Sequence, residues 1–344
     1  MFKVQKEISK LLHSAACARL EATGSIKDAV RLSACREATA WLWQTVIPVE
    51  DALELTDSEM RSALRHQYGL SPLVSEWYCK CGASVGAGHF HSCNRVSGPA
   101  TYSRHEAIVS DLSALGVGQL MMNVAKAPAM SVADGSIVLE EDGARQQIVP
   151  DVVFDGAGLT LAIDVTVCYS ETASNLPSER ARADKKVVDA LAKRAQAKAQ
   201  KYGASCAEQG VEFLPFVLES HGGLHDSAVS VLTRLAKYGA NVIGCREGEL
   251  LGYMKRRVAI ALQRGNAKLD RMALTKSRNS YGAAVARGLV VPRDGDEAQG
   301  GGRRAGSTGR GSSATRGGRA GQRRGAVRNL LASRTASVGS LLSC

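Results

Sequence analysis

Two aliphatic stretches joined by a tight glycine turn, each with one aspartate at its centre, constrain this chain most. Ile148-Val-Pro-Asp151-Val-Val-Phe154 runs into Asp155-Gly156-Ala157-Gly158, and Leu161-Ala-Ile-Asp164-Val-Thr-Val167 follows. The β-branched runs predict strands over 147–154 and 159–167, and the turn predicts that they pair as a hairpin. A turn centred on Ala157 and Gly158 sets Asp151 opposite Asp164, with Cβ atoms ~5 Å apart on one face. Two carboxylates that close in apolar surroundings repel one another and need compensation. A divalent cation supplies it, and hard carboxylate oxygens suit Mg²⁺, which fills its other positions with water and phosphate oxygens. Asp151 and Asp164 are therefore candidate Mg²⁺ ligands in a site able to hydrolyse a phosphodiester.

A lysine near such a site can hold the attacking water or neutralise transition-state charge. Lys198 and Lys201 lie one turn apart on a helix expected from a Ser178 cap to about Tyr202, with Gly203 closing it. The competing reading is a solvated helix face favoured by the dipole. Glu106 is a candidate third acid ligand, although a capping box with Ser103 also accounts for it. His105, its neighbour, is open in the same way.

A second cluster precedes these strands. Cys79-Lys-Cys81 is followed by His89-Phe-His91-Ser-Cys93, in a segment with four glycines between 82 and 98. Three thiolates and one imidazole complete a tetrahedral shell, which predicts a structural Zn²⁺. His89 and His91 compete for one position, and the three residues between His89 and Cys93 favour His89. Four ligands would hold together a loop with almost no core of its own. The remaining cysteines are scattered, so a reducing compartment is expected rather than a disulfide framework.

The 344 residues carry a net charge of +11, and most of it is at one end. From Arg293 to Cys344 there are ten arginines against three acids, +7 in all. Between about 295 and 325 the composition is Gly, Arg and Ser, which predicts a disordered segment binding nucleic acid without sequence preference. Arg303, Arg304, Arg310, Arg316, Arg319, Arg323 and Arg324 are its candidate contacts. No stretch approaches the ~18 apolar residues of a spanning helix, so no membrane partner is expected.

The remaining pattern is helical at both ends. Helices are expected over 3–46 (two, with Ser25 capping the second), from the Thr56–Glu59 capping box to Gly69, and from Ser103 to about 115. Strands follow at 119–124, 137–139, 147–154 and 159–167, then the lysine-bearing helix, a strand at 211–218, and helices at 226–238, 246–264 and 266–275.

Taken in order, these motifs resemble a known family. A CCHC cluster precedes Arg104-His105 at a helix, then Pro150-Asp151, then Asp164-Val-Thr166-Val. K-x2-K-Y (Lys198, Lys201-Tyr202) follows, and a strand from Val211 leads to Ser220 and Gly222-Gly223. This order is similar to the C-terminal restriction-like endonuclease region of non-LTR retrotransposon reverse transcriptases, and more broadly to the PD-(D/E)xK nucleases. The resemblance implies an α/β fold with an αβββαβ restriction-endonuclease-like core. It implies Mg²⁺ at Asp151 and Asp164, with the lysine role carried by Lys198 or Lys201 because Thr166 stands at the usual lysine position. It also implies nicking of target DNA to prime reverse transcription, in the nucleus, beside a reverse transcriptase supplied in cis or in trans. Nothing resembles the polymerase YxDD turn, so the region is expected without a polymerase domain.

The expected organisation is a helical segment (1–75), a zinc-knuckle-like cluster (76–100), the endonuclease core (101–245), C-terminal helices (246–290) and the Arg/Gly-rich tail (291–344). Two functions fit it: a Mg²⁺-dependent DNA endonuclease, with RNA as a second polyanionic partner, and a catalytically inactive zinc-containing nucleic-acid-binding protein of the same ancestry.

Overall fold

The computed structural model describes residues 24–72, 77–95, 98–126 and 149–286, with Ala15 and Ala18, the backbone of strands 138–141 and 144–147, and backbone alone for 279–286. The helix expected before residue 24 and the arginine tail lie outside the described residues.

The protein is mixed α/β. Its elements run α1 (Ile26–Arg36), α2 (Asp57–Gln67), the one-turn α3 (His89–Ser92), α4 (Gly98–Gly118), β1 (Asn123–Lys126), β2 (Val138–Glu141), β3 (Ala144–Gln147), β4 (Val152–Gly156), β5 (Leu159–Cys168), α5 (Ala183–Ala207), β6 (Glu212–Glu219), α6 (Asp226–Ile243) and α7 (Glu247–Ala286). Strands β1, β4, β5 and β6 form one sheet in that order, and β2–β3 is a separate hairpin. The β4–β5 pair is antiparallel, with Val152 opposite Ile163 and Gly156 opposite Leu159. The turn is thus the expected two-residue one at Ala157-Gly158, where Gly158 takes φ +80°, a value glycine adopts without a Cβ clash. Strand β6 pairs parallel to β5, so α5 is the crossover between them.

Alternation along β5 divides the core. Leu161, Ile163 and Val165 face α4, α6 and α7, packing with Ile108, Leu112, Phe154, Phe216, Leu232 and Met254. Ala162 faces the opposite side with Tyr202 and Cys206 of α5, and further along Cys168 joins Val187, Leu191 and the α1 residues Val30 and Ala34. Asp164 shares the parity of Ala162 and therefore faces α5.

Both capping boxes that open α1 and α2 form, at Ser25–Asp28 and Thr56–Glu59. Others do not. Helix α4 begins at Gly98, so Ser103 lies inside it, buried, rather than at a cap. Pro99 in the first turn costs no intrahelical hydrogen bond, which permits that earlier start. Ser178 caps nothing: a short 3₁₀ turn (Arg180–Arg182) intervenes, and α5 starts at Ala183 and passes Gly203, carrying Cys206 into the core. The two helices expected after 246 are one, because packing overrides the break signalled by Gly265-Asn266. A Cβ at position 265 would lie 2.9 Å from Arg104 Cγ, and Asn266 donates from Nδ2 to the Ser220 carbonyl at 2.9 Å.

Candidate active site and metal centre

The end of β4 sets the geometry of the cleft. Ladder pairing stops at Val152, and Asp151 continues it with its side chain: Oδ2 accepts from the Val165 amide at 2.6 Å. That contact ties the first aspartate to the strand bearing the second, where Asp164 is 4% exposed. Both carboxylates line one cleft of about 420 Å³, together with Tyr102, His105, Thr166 and Lys198.

Each carboxylate has a basic partner. Lys198 Nζ lies 2.7 Å from Asp164 Oδ2, an ion-pair contact outside hydrogen-bonding geometry. His105 Nε2 lies 2.8 Å from Asp151 Oδ2. This hydrogen bond raises the His105 pKa against the lowering effect of burial, with the charges of Asp151, Asp164 and Glu106 adding to the rise. Tyr202 sits beneath, its hydroxyl pKa raised first by burial and then by the charge of Asp164. A hairpin carrying two mid-strand acids does not by itself demand a metal: Lys198 and His105 supply part of the compensation.

The other candidates lie apart from the cleft. Glu106 accepts from Ser110 at 3.1 Å and faces Lys126 at 3.5 Å, outside the lining residues. Its position one residue past His105 on α4 turns it away. Lys201 is exposed, with its ammonium 5.0 Å from the Tyr202 ring centroid. Sequence reasoning left His105 without a role; its place beside Asp151 depends on α4 packing across the sheet, which no local motif announces.

Among the described residues, the ligand atoms of Cys79, Cys81, His89 and Cys93 all lie within 4.8 Å of one another. Cys79 Sγ is 3.7 Å from Cys93 Sγ, and Cys81 Sγ is 3.6 Å from His89 Nε2. A tetrahedron with Zn–S about 2.3 Å and Zn–N about 2.0 Å separates its ligand atoms by roughly these amounts, so the donor set fits a zinc-like ion. A tight turn presents the first two ligands, with the Gly82 amide donating to the Cys79 carbonyl at 2.8 Å. Helix α3 presents His89, and the Cys93 amide returns to the His89 carbonyl at 3.0 Å. Burial raises the Cys79 thiol pKa to about 11. In Cys81, burial is outweighed by hydrogen bonds from backbone amides and thiols, and the pKa falls.

His91 is not a ligand of this set. It is buried, stacked on His66 at 4.1 Å, and accepts at Nδ1 from Arg104 Nη1 at 3.0 Å. Nor does the loop lack a core, as the glycine-rich sequence suggests: Val85, Phe90 and Ala100 pack on Leu269 and Ala273 of α7.

No helix among the described residues is long and apolar enough to cross a membrane. No protein-family model matches the chain, and comparison with curated proteins returns no match.

Proposed function

We propose that this protein is a Mg²⁺-dependent DNA endonuclease of the restriction-like type, with a structural zinc, derived from a non-LTR retrotransposon. One observation carries the reading: Asp151 just before β4, Asp164 on β5 and Lys198 on the crossover helix line a single cleft. The order of α4, β1, β4, β5, α5 and β6 supports an αβββαβ core of the PD-(D/E)xK kind, with the β2–β3 hairpin inserted. The cation suits the donor set, because Asp164 Oδ2 is a buried acceptor without a hydrogen-bonding donor, and both acids present hard oxygens.

Mg²⁺ held there would acidify water and stabilise charge on a phosphodiester. The protein's own groups do the rest. Asp151 and Asp164 orient the ligand shell from a rigid hairpin. Lys198, held at Asp164, would supply a positive charge for the attacking water or the non-bridging phosphate oxygens. His105 holds Asp151 in one rotamer, the part second-shell donors commonly play for ligating carboxylates. The exposed cations of α5 beyond Lys198, Lys193 and Lys201 among them, suit the phosphate backbone of the substrate.

Nicking of supercoiled plasmid by the full-length protein with Mg²⁺ tests this. Cleavage should fall at least about 10²-fold in Asp164→Ala and by a similar factor in Lys198→Ala. Equal residual cleavage by all three proteins would sink the assignment.

The basic side chains already held at both acids favour a second reading, a nucleic-acid-binding protein whose cleft is closed by Lys198 and His105. DNA retained on a gel with no cleavage under any divalent ion would select it.

A further inference from the structure

We propose that His91 and Arg104 are positioning residues that link the Cys/His metal centre to the aspartate cleft, so that metal at the first site orders the second. His91 lies between two ligands, His89 and Cys93, on the single turn of α3 and points away from the metal set into the core. Its Nδ1 accepts from Arg104 Nη1 at 3.0 Å. Arg104 is 4% exposed, and among the described residues it makes no ion pair with a carboxylate; Asn266 Oδ1, at 3.4 Å, is its other hydrogen-bond partner. The next residue in the chain, His105, is the one that grips Asp151 at 2.8 Å. Two hydrogen bonds and one peptide bond therefore join His91, two residues from each of two candidate metal ligands, to a candidate Mg²⁺ ligand.

The surroundings leave this chain of contacts little slack. His66 stacks on one face of His91, and His221 stacks on His66, each at 4.1 Å. Asp270 Oδ1 stands 3.7 Å from His91 Nε2 and is itself held by Ser62. Arg104 is wedged against Gly265 of α7, where a Cβ would meet its backbone at 3.2 Å as well as its side chain. Tyr169, at the end of β5, packs its hydroxyl against Gly88, the residue that opens α3 with φ +65°. A buried guanidinium that loses an acceptor has no water to replace it. Release of α3 from its metal would therefore weaken the shorter of the two hydrogen bonds that hold Arg104, leaving it Asn266 Oδ1 and the charges of Glu219 and Asp270, and would loosen the first turns of α4, which carry His105.

The link deepens the nuclease reading, and it rests on that reading only for its effect on cleavage. Hydrogen–deuterium exchange of the full-length protein tests it independently of activity. Stripping zinc with a chelator should raise exchange over residues 98–106 by about 10–100-fold, the change that follows from losing about 1–3 kcal/mol of a buried hydrogen bond, while α6 stays protected. With one zinc per chain retained, His91→Leu should loosen the same segment, and His91→Asn, which restores an acceptor near the Nδ1 position, should protect it again. Unchanged exchange over 98–106 after zinc removal overturns the link. So does a rise of equal size in α6, or a protein that binds no zinc at all. If the segment responds as expected and plasmid stays intact with Mg²⁺, the link stands and the nuclease reading falls.

Discussion

At the residue scale, Asp151 holds more of the site together than its sequence context suggests. One of its oxygens serves as a strand-end acceptor for Val165 and as the partner of His105. The raised pKa of His105 follows first from that hydrogen bond, so Asp151→Asn should let burial dominate and bring the imidazole below its ordinary value of about 6.5. An NMR titration of the His105 ring reads this directly; an unchanged midpoint would show that Asp151 is not the cause. The linkage has a definite sign. A histidine with a raised folded-state pKa contributes stability that is complete below its unfolded pKa and is lost as the pH climbs through the folded one. Under the proposed reading, Mg²⁺ at Asp151 would compete for the same carboxylate, so its binding should be favoured on the alkaline side of that transition. Thr166 lines the cleft at the position where the proposed nuclease reading would place a lysine, and Lys198 reaches Asp164 from the crossover helix. K-x2-K-Y singled out Lys198 and Lys201 as candidates; which of the two faces the acid was settled by the helical phase of α5 against β5.

At the element scale, the metal loop and α7 explain one another. Helix α7 runs without interruption from Glu247 to Ala286, and its Leu269 and Ala273 form the floor on which Phe90 packs. Phe90 is 1% exposed, although its neighbours in sequence are Gly, His and Ser. Phe90→Ala should cost about 3–5 kcal/mol, the usual range for emptying a buried aromatic site. The loss belongs to the loop and not only to the ion, so it should appear as a lowered denaturation midpoint with zinc saturating. A variant as stable as the parent would mean that the four ligands alone hold the loop. Capping boxes were readable where a Ser or Thr preceded an exposed first turn, as at Ser25 and Thr56. They misled at Ser103, where the same spelling falls inside a buried helix whose start was decided by Gly98-Pro99 and by packing on α7.

Across the described residues, one buried cluster that joins distant elements is polar. His66, His91 and His221 stack there, flanked by Arg31, Arg104, Glu171 and Glu219. Burial, reinforced by the neighbouring histidines and arginines, drives the His66 pKa well below its ordinary value. Folding therefore excludes a proton that the unfolded chain binds, and this contribution to stability is present above about pH 6.5 and lost as the pH falls from there. His66→Phe, which keeps a ring in the stack, should flatten the decline of the unfolding temperature below pH 6.5; parallel curves for the two proteins would remove His66 from the account. Asp270 works the other way, since burial raises its pKa from 3.8 to about 6 and its contribution is lost as the pH rises through that interval.

Local chemistry in the amino-acid order was enough to set the β4–β5 register, since a two-residue glycine turn leaves few pairings and one slip would bury the wrong face. It was also enough to bring Cys79, Cys81, His89 and Cys93 together, because fifteen consecutive residues hold all four donors. Tertiary structure alone decided that His105 meets Asp151, that Glu106 turns to Lys126, that Lys198 rather than Lys201 reaches Asp164, and that His91 bonds to Arg104. Each of these depends on how a helix is rotated against a sheet or against another helix. That rotation is set by the summed packing of side chains distant in the chain, which no local pattern encodes.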